Sequence, residues 1–477
     1  MLHDRFFIGN QWIKPATDAQ FTVKNASTGE TVGTTAEAGI VDIDTAVAAA
    51  RAAFDDGEWP SMAPAERARI MRRFAEELRR RAQKTAEAVS TQNGMPISIS
   101  SAFEGDVAPN ILDYYADLAD AMVLEDVRPS QFGTETFVQR LPVGVVAAII
   151  PWNFPVNLSL VKLGPAMAAG CTMVIKPSPG TVLDSYVMAE AALAAGVPPG
   201  VLNWVPADRE VGQYLIEHPG IDKVAFTGST AAGRKIAARC GELLRPVTLE
   251  LGGKSAAILL EDTDLETFTQ GIPTACLLNN GQTCYLGTRI LAPRSRYDEI
   301  VEAVAGFVGG LKVGDAMDPE THVGPLASEE HRARVERYID IGKNEGRLVT
   351  GGRRPGTSQG GWFVQPTVFA DVDNKATIAR EEIFGPVLSI IPYESEEQAV
   401  EIANDSDFGL GGSVWSKDKA HAKAVAEKVQ TGSIGLNGYV ISVGSPFGGV
   451  KQSGIGREFG PEAMGAYQTY KSIFAMN

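Results

Sequence analysis

Residues 279–285, NNGQTCY, place a lone cysteine after two asparagines, a glycine, a glutamine and a threonine, just past the apolar run ACLL (275–278). A structural cysteine packs like a small hydrophobe among aliphatic residues. Cys284 among amides therefore marks either a plain turn or a thiol that something must reach, and a reachable thiolate is a nucleophile. Glu250 precedes Leu-Gly-Gly-Lys-Ser. A carboxylate beside two glycines has room for the water or substrate that a general base needs, and it equally fits a surface glutamate at a turn. Lys176 ends an aliphatic run before Pro-Ser-Pro, where an amine meets a nucleotide or snorkels from a sheet edge. Gly228-Ser229-Thr230 lies between strand-like and helix-like stretches. It suits a pyrophosphate on a helix N-terminus, or Ser229 is a plain N-cap. Glu382 is one of two adjacent glutamates in REEIFGP (380–386).

Several familiar patterns are missing. No G-x-G-x-x-G follows the early strand, and neither GSTAAGRK (228–235) nor TLELGGKS (248–255) completes a phosphate loop. The five histidines (3, 218, 322, 331, 421) are scattered with no HExxH, so no metal is expected. The four cysteines (171, 240, 276, 284) match neither a zinc spacing nor a disulfide framework. Free thiols predict a cytoplasmic protein, and MLHDRFFIGNQW lacks the apolar region of a secretory signal.

The elements that must carry these groups are legible in outline. The 477 residues suffice for two or three domains, and 44% hydrophobic with 21% charged residues is ordinary for a globular protein. A net charge of −15 disfavours nucleic acid or an anionic membrane as partner. Spacing predicts a helix from Pro64 to about Val89, with Ile70, Phe74 and Leu78 on one face. VGVVAAII (143–150), CTMVIK (171–176), VLNWV (201–205), DKVAF (222–226) and SAAILL (255–260) read as buried strands, alternating with helical segments near 157–169, 182–195 and 229–240. That alternation predicts βαβ units and a parallel sheet, which binds ligands beyond its carboxyl strand ends. A second α/β series follows: TRILA (288–292), helices near 296–309 and 328–344, VLSIIPY (387–393) and GSVWS (412–416), with GGRRPGTSQGG (351–361) as a surface loop. TETFVQRLP (134–142) and the tail from Tyr467 suit strands outside the main sheet.

PWNFP (151–155), KPSP (176–179), FTGST (226–230), ELGGKS (250–255), GQTC (281–284), EEIFGP (381–386) and SPFGG (445–449) occur in this order. The set resembles the aldehyde dehydrogenase superfamily of the hydrolytic, NAD(P)-dependent kind. The resemblance implies an α/β fold in three parts. These are a Rossmann-like cofactor domain (1–123 and 143–252), an α/β catalytic domain (253–452), and a small β element for oligomerisation (124–142 and 453–477). It makes Cys284 the nucleophile. The thiohemiacetal gives up hydride to nicotinamide and leaves a thioester for water to cleave. It makes Asn153 the oxyanion-holding amide and Glu250 the general base. On the cofactor side it implies Lys176 at the adenosine ribose, Trp152 and Ser229 near the pyrophosphate, Gly228 and Leu251 among the other cofactor contacts, and Glu382 and Phe384 at the nicotinamide end.

NAD is the expected cofactor. NADP stays open because Pro179 stands where many NAD-preferring members carry a glutamate. Positions matching the substrate funnel are Asn157, Leu158, Val161, Leu278, Tyr285, Ile441 and Phe447. They are mostly apolar and include no cation for a carboxylate, which predicts a medium-chain, aromatic or terpenoid aldehyde. A homotetramer or homodimer is expected. The competing readings are a CoA-acylating dehydrogenase, which commonly lacks the Glu250 equivalent, and a non-catalytic protein on this fold.

Overall fold

The computed structural model describes residues 2–356 and 360–475. Two parallel-rich sheets dominate. The first runs Gly454–Ile455, Val247–Glu250, Lys223–Thr227, Val145–Ile149, Thr172–Lys176, Leu202–Trp204, Phe6–Ile8, Gln11–Ile13. Its five central strands are parallel, and both edges are antiparallel. Those central strands are almost wholly buried, because helices cover both faces. The second sheet runs Arg347–Thr350, Thr367–Ala370, Val387–Tyr393, Arg289–Pro293, Ala256–Leu259, Gly412–Trp415, Gly435–Leu436.

Two expectations are corrected. SAAILL does not continue the first series: Ala256–Leu259 lies inside the second sheet, between Arg289–Pro293 and Gly412–Trp415. The strand completing the first series is Val247–Glu250, and ELGGKS carries the chain from one sheet to the other. The single helix predicted over 64–89 is two, Pro64–Arg80 and Ala82–Asn93, interrupted at Arg81, whose N–H bonds back to Leu78.

Glu135–Pro142 pairs antiparallel with Gln468–Phe474 and with Glu125–Pro129, forming a three-stranded sheet apart from the other two. The loop 351–361 falls partly outside the described residues. Among the described residues, no helix is long and apolar enough to cross a membrane.

Candidate active site

Glu250 ends its strand buried at 3% exposure, and neither carboxylate oxygen has a hydrogen-bond partner among the described residues. Burial, and secondarily the Glu458 carboxylate, hold its carboxyl well above the usual range, while Lys162 and Arg457 draw it down. Gly448 of SPFGG packs against it: a β-carbon there would lie 2.6 Å from Glu250 Oε1. The ELGGKS turn then serves two neighbours at once. A β-carbon on Gly252 would lie 2.5 Å from Glu382 Oε2, and one on Gly253 2.3 Å from the carbonyl oxygen of Cys284. The two glycines thus let the carboxylate and the cysteine loop approach the backbone.

Cys284 is partly exposed, whereas Cys171, Cys240 and Cys276 are buried. Burial of its thiol, then the Glu382 and Glu250 carboxylates, push it up. The asparagines before it answer for the unusual loop. Asn279 and Asn280 both take left-handed backbone (φ 52° and 61°), which asparagine tolerates. Asn279 Nδ2 donates to the Asn153 carbonyl at 2.9 Å, and Asn280 Nδ2 donates to the carbonyls of Gly94 (2.8 Å) and Pro325 (2.9 Å). Asn153 Nδ2 donates to the Gln282 carbonyl at 3.0 Å. PWNFP and NNGQTC, which lie more than a hundred residues apart, are therefore interlocked.

Lys176 Nζ donates to the Ala207 carbonyl at 2.7 Å, and burial lowers its pKa to about 8. Ser229 caps Thr230–Glu242, accepting from Ala232 N–H, and Gly228 N–H donates to the Glu250 carbonyl at 3.0 Å. Leu251 is buried against Gly233 of that helix. Glu382 Oε1 accepts the Gly253 N–H at 3.0 Å, and burial raises its carboxyl to about 7. Phe384 has φ +64° and meets Trp152 edge-on, with ring centroids 5.4 Å apart.

Of the substrate-side positions, Leu278, Tyr285 and Phe447 are buried in one hydrophobic cluster, and Leu158, Ile441 and Cys284 pack partly exposed against it. Tyr285 stacks on Tyr439 at 4.3 Å. Asn157 is half-buried, while Val161 is fully buried in the core.

Sequence reasoning missed several neighbours. Lys162 pairs with Glu458 at 2.6 Å, both buried; a lysine inside the otherwise apolar NLSLVKLGPAMAA was the available signal. Helix Glu329–Glu345 clamps the EEIFGP loop through positions 331, 334, 335 and 338, which share one face. His331 Nε2 bonds the Phe384 carbonyl at 2.7 Å, Arg334 the Glu382 carbonyl at 2.6 Å, and Tyr338 the Glu381 carboxylate at 2.5 Å. Val335 packs on Gly385. Nothing in the spacing of the five histidines signalled this.

The sequence model of the aldehyde dehydrogenase family matches residues 12–473. The chain is 58% identical over 475 residues to geranial dehydrogenase of Castellaniella defragrans, covering 99% of each. It superposes on the crystal structure of a Mycobacterium tuberculosis aldehyde dehydrogenase complexed with NAD+ at TM-score 0.97 and 47% identity, covering 100% of this chain and 99% of that one. A mutant aldehyde dehydrogenase C from Pseudomonas syringae, complexed with NAD+ and octanal, matches at TM-score 0.95 and 38% identity over 98% and 96% of the chains. A match across nearly the whole length, in sequence and in fold, leads to one conclusion: the chain belongs to the aldehyde dehydrogenase family.

Proposed function

We propose that this protein oxidises an apolar, terpenoid-type aldehyde to its carboxylic acid with NAD, and that water takes the acyl group. The observation carrying the reading is the buried Glu250 carboxylate, unpartnered and electrostatically coupled to the Cys284 thiol. Raised proton affinity makes it a stronger base than a surface glutamate. The thiol proton passes to solvent water as Cys284 Sγ forms a C–S bond with the aldehyde carbon. The oxygen that gains the negative charge would accept from the Asn153 amide and the Cys284 N–H. A bound nicotinamide would supply the acceptor for the hydride leaving that carbon, held at the Glu382 and Phe384 end of the site. The thioester left on Cys284 is attacked by water while Glu250 accepts its proton; the C–S bond then breaks and the acid departs.

The residues fit a dinucleotide. Ser229 opens a thirteen-residue helix whose N-terminus suits a pyrophosphate. Lys176 supplies a buried amine at a strand end, and Glu382 a carboxylate fixed beside Phe384. The apolar cluster around Leu158, Leu278, Tyr285, Ile441 and Phe447, and the likeness to geranial dehydrogenase, support the substrate class. The three-stranded sheet exposes Val127, Tyr470 and Phe474, which supports a homodimer or homotetramer through that element. Four free cysteines suit a cytoplasmic location. The three-part division fits the separate sheets, with Gly454–Ile455 joining the cofactor side.

The test is NADH and NADPH formation by the purified protein without CoA, on citral, octanal, benzaldehyde and succinic semialdehyde. Turnover on the apolar members with NAD is expected. Activity that appears only when CoA is added would overturn hydrolysis.

A further inference from the structure

Helix Pro155–Ala169 begins immediately after PWNF, and its N-cap, Phe154, has no side-chain acceptor. The N–H groups of Val156 and Asn157 are thus orphan donors of the first turn. Their acceptor comes from fifty residues earlier: Glu104 Oε2 takes the Val156 N–H at 2.8 Å and Oε1 takes the Asn157 N–H at 3.3 Å. Glu104 is 1% exposed and sits within the seven-residue π-helix Ser101–Val107, a rare form that recurs at functional positions. Burying a carboxylate is costly, and a serine at the N-cap would satisfy a donor without that cost. What Glu104 adds is a fixed point just beyond Asn153. On the other side, the Asn153 carbonyl is held by Asn93 (3.2 Å) and Asn279 (2.9 Å). Asn153 is therefore mounted between two backbone anchors, and its amide reaches the cysteine loop at the Gln282 carbonyl (3.0 Å).

We propose that Glu104 is a positioning residue for Asn153, holding in place the amide that stabilises the developing oxyanion; this rests on the reading of Asn153 given above. Glutamine at 104 keeps one acceptor but turns an NH2 toward a backbone N–H. Glu104→Gln is expected to slow the single-turnover formation of NADH about 10–100-fold, the scale of a small misplacement, while the Kd for NAD, followed by tryptophan fluorescence, stays unchanged. Asn153→Ala is expected to slow the same step about 10²–10³-fold. The deciding measurement is the double-mutant cycle. If Glu104 acts through Asn153, adding Glu104→Gln to Asn153→Ala costs nothing further. An equal slowing in both backgrounds, or a wild-type rate in Glu104→Gln, overturns the inference. A full rate in Asn153→Ala alone overturns the Asn153 reading and this inference with it. Glu104→Asp, with its acceptor drawn back by one carbon, takes the same place in the cycle should the glutamine variant not fold.

Discussion

The ammonium of Lys162 lies 2.6 Å from the Glu458 carboxylate and 2.6 Å from the Thr227 hydroxyl, and both charges of the pair act on Glu250. Lys162→Met leaves the Glu458 charge buried and unpaired, a loss of about 3–5 kcal/mol in stability. It also removes a cation that draws the Glu250 carboxyl down, so the acid limb of thioester hydrolysis should move to higher pH. Glu458→Gln should move it the other way. Urea unfolding and a pH–rate profile read the two effects separately.

Cys284→Ala should abolish turnover while NAD still quenches tryptophan fluorescence, because the thiol makes the bond and the binding surface remains. Glu250→Gln should form the thioester and stall there, leaving a protein heavier by one acyl group in mass spectrometry. Normal steady-state oxidation by Cys284→Ala would sink the covalent route.

His331 secures Phe384 in its left-handed conformation. Burial lowers the imidazole to about 4, so the ring is neutral at working pH and its Nε2–H donates to the carbonyl. His331→Ala removes one hydrogen bond of about 0.5–1.5 kcal/mol. If that loop holds the nicotinamide end, the Kd for NAD should rise up to about tenfold. An unchanged Kd would detach the helix clamp from cofactor binding.

Asp184, fully buried and accepting from Gln92 Nε2 at 2.6 Å, has its carboxyl raised to about 7, first by burial. A folded pKa above the unfolded one means the native state binds more protons. The contribution is complete below about pH 4 and is lost as pH rises through about 7. Asp184→Asn keeps the acceptor and cannot ionise. Its melting temperature should fall less than that of the wild type between pH 5 and pH 8, as calorimetry would show.

Much of this site was legible in the chain. Cys284 and Glu250 each stand in a short motif whose neighbours (amides, paired glycines) state a local requirement, and local requirements survive without a fold, whereas Asn153 was singled out only by the family resemblance. The buried strands were legible because aliphatic runs of strand length have few other uses. The reading failed where the question was which partner a strand takes: SAAILL is as apolar as the strands before it, and only the passage of ELGGKS between sheets assigns it to the second.

By itself, then, the sequence determined which groups are candidates to react, the α/β alternation and the order of motifs along the chain. The tertiary structure alone decided what stands behind those groups. Asn93 and Asn279 meet on the Asn153 carbonyl, Glu104 caps a helix it does not belong to, and Lys162 finds Glu458 across 296 residues. Such contacts follow from topology rather than spacing, because a buried polar side chain must be satisfied by whichever partner the packed core brings within about 3 Å.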